Sequence, residues 1–210
     1  MWVKICGVRS VEDALHAQAC GADAVGLNLH PPSVRCLDVD IAAAIAEAVD
    51  IETVLVVVDR SEEELSELVG AIQPTWVQLH GQEPPGFGAW LGVPCFKAFR
   101  GHPGVLEQIP AYGQRRFLLD AYVPGEVGGT GKLVDLDLAR RAAQLGELIL
   151  AGGLKPHNVA AAIQKVQPWG VDVASGVESS PGVKDPALVA AFVRACRACA
   201  SASPRPHPED

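Results

Sequence analysis

Eight short apolar runs recur along this chain, and the segments between them have helical or turn character. Several runs are apolar on both faces, as parallel strands are when helices cover their sheet. Eight such units in about 200 residues predict an α/β fold, a single-domain (β/α)8 TIM barrel, with a doubly wound open sheet as the alternative. The strand candidates are WVKIC (2–6), AVGLN (24–28), TVLVVV (53–58), TWVQL (75–79), VPCFKA (93–98), RFLLD (116–120), ELILA (147–151) and GVDVA (170–174).

Two of the intervening segments begin with strong helix-start signals. SVED (10–13) and SEEE (61–64) both resemble capping boxes, and the apolar residues between 65 and 72 recur at helical spacing. The weakest helix predictions cover 84–91 and 103–109, which are short and rich in Pro and Gly.

Glycine and proline mark further helix boundaries. Gly21 and Gly146 lie where helix C-caps are expected, because glycine readily adopts the left-handed conformation that commonly ends a helix. Pro156 and Pro186 lie at expected first helical positions, and Asp185 precedes the second of them as a capping residue.

Composition and charge exclude several classes of partner. Hydrophobic residues make up 49% of the chain and charged residues 20%, as in an ordinary globular protein. The net charge is −8 and no Lys/Arg cluster occurs, so neither nucleic acid nor an anionic membrane is expected as a partner. No run approaches the roughly 18 apolar residues of a spanning helix, and no signal peptide is recognisable.

One barrel domain is predicted over 1–200, followed by a Pro-rich polar tail over 201–210 that is expected to be disordered. The cysteines are scattered and do not indicate a disulfide framework, which favours a reducing, cytoplasmic location. The CRAC motif at 196–199 has no second Cys pair or His partner nearby, so packing is favoured over a redox or metal role. The six cysteines are Cys6, Cys20, Cys36, Cys95, Cys196 and Cys199.

Polar residues at strand ends are the first candidates for chemistry, because the site of a barrel lies at the C-terminal ends of its strands. Cys6 ends the first strand candidate, and Gly7 allows the chain to turn sharply away from it. The other candidates selected by this argument are His80, Asp120, Asp172 and Ser175.

Glycine turns follow the last two strand candidates. AGG (151–153) and ASG (174–176) could bring backbone N–H groups close to an anion, and loops seven and eight form the common phosphate site of barrels. We therefore predict that Gly152, Gly153, Ser175 and Gly176 bind a phosphate group, although two ordinary glycine turns would have the same sequence.

The segment PGEVGGTGK (124–132) resembles a P-loop but does not match its pattern, because Lys132 is followed by Leu133 instead of Ser or Thr. We interpret it as a mobile loop after strand six that could fold over a ligand, the alternative being a plain flexible loop.

Arg35, Cys6 and Asp120 could act on a substrate. Arg35, in the loop after strand two, could hold a carboxylate bidentately, although a lone loop Arg is usually a solvated surface residue. Cys6 and Asp120 lie on strands one and six, which are not neighbours, so they could face each other across the mouth of the barrel and act as an acid–base pair.

A metal site is weakly supported, because the histidines form no HxH or HxxxH cluster.

Several stretches together resemble phosphoribosylanthranilate isomerase, the isomerase of tryptophan biosynthesis, from residue 2 to about residue 195. They are KICG (4–7), QLHG (78–81), LLDA (118–121), PGEVGGTGK (124–132), LILAGGL (148–154) and VDVASGVESSPGVKD (171–185). The resemblance implies a TIM barrel that catalyses the Amadori rearrangement of N-(5-phosphoribosyl)anthranilate without a cofactor or metal.

The resemblance also implies residue roles. Cys6 corresponds to the general base, Asp120 to the general acid and Arg35 to the residue that contacts the anthranilate carboxylate, while the two glycine turns hold the phosphate. Lys4 is one candidate for stabilising the Cys6 thiolate, beside a helix N-terminus or the substrate's own iminium. His80 is expected to orient a loop or to hydrogen-bond locally, and Asp172 to hold the strand-eight turn.

Four residues depart from the family pattern. His30 and Pro32 stand where Tyr and Lys are usual, and Cys36 where an aromatic residue is common. Ala174 replaces a common Ser, which preserves a backbone contact to phosphate but not a hydroxyl contact. We expect a modest effect on substrate affinity and no change of reaction.

Other functions remain open at this point. Another phosphate-binding barrel, such as a sugar-phosphate epimerase or a lyase, is one alternative, although epimerases of that kind typically need metal-binding His pairs. The bifunctional isomerase of histidine synthesis would need paired Asp residues on strands one and five, and the fifth strand candidate (93–98) has no Asp. A catalytically inactive binding barrel would be expected to lose Cys6 or Asp120. The protein could be a monomer or a homodimer.

Overall fold

The computed structural model describes residues 1–120 and 135–200. Within them, eight parallel strands close into a barrel, followed by a small two-stranded hairpin. The strands are β1 (Trp2–Cys6), β2 (Ala24–Asn28), β3 (Glu52–Val57), β4 (Trp76–Leu79), β5 (Cys95–Arg100), β6 (Arg116–Asp120), β7 (Glu147–Leu150), β8 (Gly170–Val173), β9 (Glu178–Ser180) and β10 (Val183–Lys184). The predicted loop over 124–132 and the predicted tail over 201–210 lie outside the described residues.

Each barrel strand pairs in parallel with the next along the chain, and the first pairs with the last. Ile5 of β1 lies opposite Val25 of β2 on one side and Val173 of β8 on the other. This closure confirms the predicted (β/α)8 barrel over the open sheet, because in an open sheet two edge strands would lack a partner on one side.

Helices follow most of the strands and cover the outside of the barrel. They are α1 (Val11–Ala19), α2 (Val39–Ala48), α3 (Glu62–Ile72), α4 (Val105–Gln108), α5 (Leu136–Ala142), α6 (Val159–Val166) and α7 (Pro186–Ala200), with 3₁₀ turns at Ile109–Tyr112 and Ser175–Val177.

The capping predictions are mostly confirmed. Ser61 and Glu64 form a full capping box, whereas Ser10 accepts a bond from the Asp13 N–H without the reciprocal bond. Asp185 accepts from the N–H groups of Ala187 and Leu188 at the start of α7, where Pro186 is the first residue. Gly21, with φ of +89°, follows the cap of α1 as predicted.

Three boundary predictions are wrong. Residues 84–91 form consecutive turns instead of a helix, because Gly86 and Gly88 adopt positive φ in a segment that also contains two prolines. Gly146 is not a helix cap; a side chain there would meet the carbonyl of Arg115 on the neighbouring strand segment. Pro156 lies in a turn, since α6 begins three residues later.

The barrel interior is arranged in layers because alternate residues of each strand point inward. Its lower layers are apolar, with Trp2, Val54, Phe96, Leu118 and Ile149 in one buried cluster. A second, larger cluster fills the space between the strands and the helices. This packing leaves the C-terminal mouth of the barrel as the place where inward-pointing polar side chains collect.

Candidate active site

A pocket opens at the C-terminal mouth of the barrel, and nearly all the predicted site residues line it. Residues from seven of the eight strands or their following loops contribute to its wall. Lys4 is the exception among the predicted residues, because it lies wholly buried among the barrel strands. The predicted residues that line the pocket are Cys6, Arg35, His80, Asp120, Gly152, Gly153, Asp172, Ser175 and Gly176.

Two glycines make room for Cys6 at the end of β1. Gly7 has φ of +71°, and a Cβ there would lie 2.6 Å from Cδ of Arg35, so both the backbone turn and the packing require glycine. On the next strand, a Cβ at Gly26 would lie 2.7 Å from Sγ of Cys6 and 3.0 Å from Cε of Lys4. The absence of a side chain at Gly26 therefore lets both residues occupy the interior.

Cys6 lies in a buried group of charged side chains. Burial raises the pKa of the Cys6 thiol above its ordinary value, although the positive charges of Lys4 and Lys184 oppose the rise. Burial alone would lower the pKa of Lys4, but Asp172 and Cys6 outweigh it and raise that pKa. The Lys4 ammonium is therefore charged beside the predicted base, and the Lys4 Nζ to Asp172 Oδ1 distance is 2.9 Å.

Asp120 ends β6 and is buried, with His80 as its neighbour across the pocket. The distance from His80 Nε2 to Asp120 Oδ2 is 3.8 Å. Burial, together with the positive charges of Lys97 and Lys4, lowers the pKa of His80 to about 3. The imidazole is therefore neutral at physiological pH and can present one N–H and one lone pair.

Gln78 joins the two sides of the site and was missed by sequence reasoning. It lies on β4, two residues before His80, and is almost completely buried. Its Oε1 accepts a bond from Lys4 Nζ at 3.0 Å, and its Nε2 lies 2.7 Å from His80 Nδ1. A buried Gln on an otherwise apolar strand was the available signal, because buried amides require hydrogen-bond partners.

Arg35 is held by a residue that sequence reasoning also missed. Its Nε and Nη2 donate to the two carboxylate oxygens of Glu178, at 2.7 and 2.8 Å, in a bidentate pair. Lys184 donates to the same carboxylate at 2.8 Å and to the carbonyl of Ala174 at 3.1 Å. Burial would raise the pKa of Glu178, but the bonds from Arg35 and Lys184 lower it, so the carboxylate is charged.

The glycine turns after β7 and β8 pack directly against each other. Gly152 and Gly153 have φ of +87° and +66°. A side chain at Gly176 would collide with the carbonyl of Leu154. Within residues 1–120 and 135–200, no hydrogen bond uses the N–H of Gly153 or Gly176. These two N–H groups stand at the pocket wall, where an anion could accept from them.

The four departures from the family pattern have different surroundings. His30 and Ala174 line the pocket, whereas Pro32 and Cys36 do not appear in its wall. The carbonyl of Ala174 accepts from Lys184, a contact that any residue type would provide at this position.

Two features are absent from the described residues, 1–120 and 135–200. Over these ranges, no group of three or more His, Cys, Asp or Glu side chains is placed to hold a metal ion. In the same part of the chain, no helix has the length and apolar character needed to cross a membrane. All six cysteines are free thiols.

The pocket at the C-terminal mouth, with glycine turns after β7 and β8, defines the class of protein as a (β/α)8-barrel enzyme. The family model described as N-(5'-phosphoribosyl)anthranilate (PRA) isomerase matches residues 3–195. The chain belongs to the phosphoribosylanthranilate isomerase family.

Individual relatives agree over nearly the whole chain. The N-(5'-phosphoribosyl)anthranilate isomerase of Myxococcus xanthus is 45% identical and covers 93% of this chain and 95% of its own. A solved structure of monomers generated from the dimeric Thermotoga maritima enzyme is 33% identical, with a TM-score of 0.85 and coverage of 94% of this chain and 99% of its own. A third protein, solved with reduced 1-(o-carboxyphenylamino)-1-deoxyribulose 5-phosphate, is 32% identical, with a TM-score of 0.81 and the same coverage.

Proposed function

We propose that this protein catalyses the Amadori rearrangement of N-(5'-phosphoribosyl)anthranilate to 1-(2-carboxyphenylamino)-1-deoxyribulose 5-phosphate in tryptophan biosynthesis. The observation that carries the proposal is that Cys6 and Asp120, from strands β1 and β6, line one pocket together with both glycine turns. That pocket offers an acid, a base and an anion site to a single small phosphorylated substrate. Membership of the isomerase family supports the same reaction.

Asp120 serves as the general acid in the first step. Its proton passes to the furanose ring oxygen as the C1–O bond breaks, and the nitrogen lone pair forms the C1=N bond of an iminium ion. Asp120 is buried and lines the pocket, so its carboxyl group can reach a substrate bound there.

Cys6 serves as the general base in the second step. The iminium acidifies the proton on C2, the Cys6 thiolate removes it, and the electron pair of the C–H bond forms the C1=C2 bond of an enolamine. The enolamine then gains a proton at C1 and loses one from its hydroxyl group, which yields the ketone. Lys4 and Lys184 lie close enough to favour the thiolate, and the iminium adds another positive charge when it forms.

Binding is assigned to the remaining predicted residues. Arg35 contacts the anthranilate carboxylate with the donors that Glu178 leaves unused, since a guanidinium carries five N–H groups. The backbone N–H groups of the turns at Gly152–Gly153 and Ser175–Gly176 hold the phosphate. The Ser175–Val177 3₁₀ turn lies where barrels of this kind commonly bind phosphate, after strand eight.

The partners and location follow from the reaction. We expect a cytoplasmic enzyme that binds one phosphorylated small molecule and acts as a monomer or a homodimer. A biosynthetic reaction on a polar, phosphorylated intermediate supports this location, and light scattering during size-exclusion chromatography would decide between the two oligomeric states.

The decisive experiment generates the substrate in situ, adds purified protein with EDTA present, and follows the loss of substrate fluorescence. We expect rapid loss with the wild-type protein. Asp120→Asn and Cys6→Ser should each reduce kcat by about a hundredfold or more, because each group contributes roughly 10²–10⁴-fold.

Two substitutions serve as matched controls for this experiment. Asp50→Asn changes an exposed carboxylate, and Cys20→Ser changes a thiol at the end of α1 outside the pocket; both should retain activity. Near-full activity of either pocket variant would remove that residue from the mechanism. A folded wild-type protein without activity would overturn the proposed function.

A further inference from the structure

A continuous chain of polar side chains crosses the barrel from Asp172 to Asp120. Asp172 Oδ1 lies 2.9 Å from Lys4 Nζ, which in turn lies 3.0 Å from Gln78 Oε1. Gln78 Nε2 lies 2.7 Å from His80 Nδ1, and His80 Nε2 lies 3.8 Å from Asp120 Oδ2. The chain therefore begins beside the proposed base, Cys6, and ends at the proposed acid.

The direction of the hydrogen bonds from Lys4 to His80 is set at Lys4. A lysine ammonium can only donate hydrogen bonds, so the group of Gln78 that faces it must be the carbonyl oxygen. The NH₂ of Gln78 then points toward His80, and it can only donate. Lys4 and Gln78 are both almost fully buried, so water does not offer an alternative set of bonds.

His80 must accept this bond at Nδ1 and therefore carries its proton on Nε2. A charged imidazolium would place an Nδ1–H against the NH₂ of Gln78, donor against donor. The low pKa of His80, caused first by burial and then by Lys97, Lys4, Arg100 and His30, agrees with a neutral ring. The Nε2–H is the end of the ring that faces Asp120.

We propose that Lys4, acting through Gln78, holds His80 as the neutral Nε2–H tautomer and so directs a hydrogen-bond donor at the carboxyl group of Asp120. Gln78 is thus a positioning residue for the acid step, and the inference rests on the proposed function in assigning Asp120 as the acid.

The donor at Oδ2 has a defined use in the reaction. When Asp120 gives its proton to the ring oxygen, it becomes a carboxylate, and a neutral N–H donor stabilises that charge without itself losing a proton. The separation of 3.8 Å is longer than a hydrogen bond, so the two groups must approach by about 0.6 Å or more when the substrate is bound.

The tautomer can be measured directly by ¹⁵N–¹H NMR of the histidine rings, with the His80 signals assigned by their loss in His80→Asn. In the unligated wild-type protein at pH 7, we expect a pyridine-like Nδ1 and a pyrrole-like, protonated Nε2. A protonated Nδ1, or a charged ring, at this pH would overturn the proposal. This readout does not depend on activity, so it can fail while the isomerase assay succeeds, and the reverse also holds.

Gln78→Glu tests the role of Gln78. Glutamate has nearly the same shape but presents two acceptors, so it can bond Lys4 and will draw the His80 proton onto Nδ1. We expect the ring signals to change accordingly and kcat to fall by about tenfold or more, with KM changed less than about threefold. An unchanged tautomer, or a changed tautomer with unchanged kcat, would overturn the proposal.

Gln82→Glu is the matched control, because it makes the same substitution at an exposed position two residues beyond His80. It adds the same charge without entering the polar chain, so the His80 signals and kcat should both stay as in the wild-type protein. If Gln78→Glu fails to fold, the wild-type NMR spectrum still decides the tautomer.

Discussion

At the scale of single residues, Cys6 as the proposed base is subject to two requirements that oppose each other. The base must be a thiolate, yet burial favours the neutral thiol and raises the pKa of Cys6 in the unligated protein. Lys4 and Lys184 offset part of this effect, and the substrate's iminium supplies more positive charge only after the first step. In the proposed mechanism, deprotonation of Cys6 is therefore favoured most once the iminium has formed.

The pH dependence of kcat/KM should report this raised pKa, because that parameter reflects ionisations of the free enzyme. A base with a raised pKa is increasingly deprotonated as the pH rises. In the Asp120→Asn variant, where the proposed acid no longer titrates, the residual kcat/KM should therefore still be climbing between pH 7 and 9, at up to about tenfold per pH unit. Adding Cys20→Ser to that variant should give the same profile. A flat profile over this range would contradict the assignment of Cys6 as a base with a raised pKa.

At the scale of structural elements, the β9–β10 hairpin connects Arg35, the proposed carboxylate-binding residue, to Cys6, the proposed base. Glu178 at its start holds Arg35 of the strand-two loop, and Lys184 at its end bonds Glu178 and lies near Cys6. Because 143 residues separate Arg35 from Glu178, this pair also ties the loop after β2 to the loop after β8.

Glu178→Gln should therefore weaken substrate binding more than it slows the reaction. The amide keeps one acceptor but loses the charge and the bidentate pair, so Arg35 is no longer held in one orientation. We expect KM to rise by about tenfold, with kcat reduced by less, measured in the same fluorescence assay.

Glu47→Gln, at an exposed position on α2, is the matched control and should leave KM unchanged. A wild-type KM in Glu178→Gln would show that Arg35 binds its ligand without help from the hairpin.

At the scale of the whole molecule, the C-terminal end of the barrel carries the pocket, whereas the N-terminal end is closed by packing. The N-terminal end is closed by Arg116, whose guanidinium lies 3.9 Å from the ring centre of Trp169 and 4.1 Å from that of Trp76. Glu147 pairs with the same guanidinium at 3.3 Å. None of these residues lines the pocket. We therefore expect these contacts to contribute to the stability of the fold and not to catalysis.

Arg116→Lys should lower stability without changing catalysis. A compact, strongly hydrated ammonium cannot stack on two indole rings as a planar guanidinium does, so we expect a loss of about 1–2 kcal/mol in the free energy of unfolding. Denaturant melts measure this loss, and kcat and KM should stay within about twofold of wild type.

Arg115→Lys provides the comparison for this measurement, because Arg115 pairs with the same Glu147 but its side chain is 83% exposed. It should change the free energy of unfolding by less than about 0.5 kcal/mol. Equal effects of the two substitutions would mean that stacking on the tryptophans contributes nothing measurable.

Local patterns in the sequence are enough to predict the barrel, its strands and the residues at the strand ends, because these depend on periodicity, turn chemistry and chain order. WVKIC and RFLLD end in Cys6 and Asp120 for reasons visible in a few consecutive residues. The helix predicted over 84–91 does not form, because its sequence pattern is weak and two of its glycines adopt positive φ.

Which inward-pointing residues contact each other depends on the tertiary structure. Lys4 contacts Gln78 and Asp172 across 74 and 168 residues of chain, and Arg116 lies between two tryptophans from other segments. Such partners depend on strand register and on the height of each residue within the closed barrel. Local periodicity indicates that a side chain points inward, but its contacts depend on how the barrel closes.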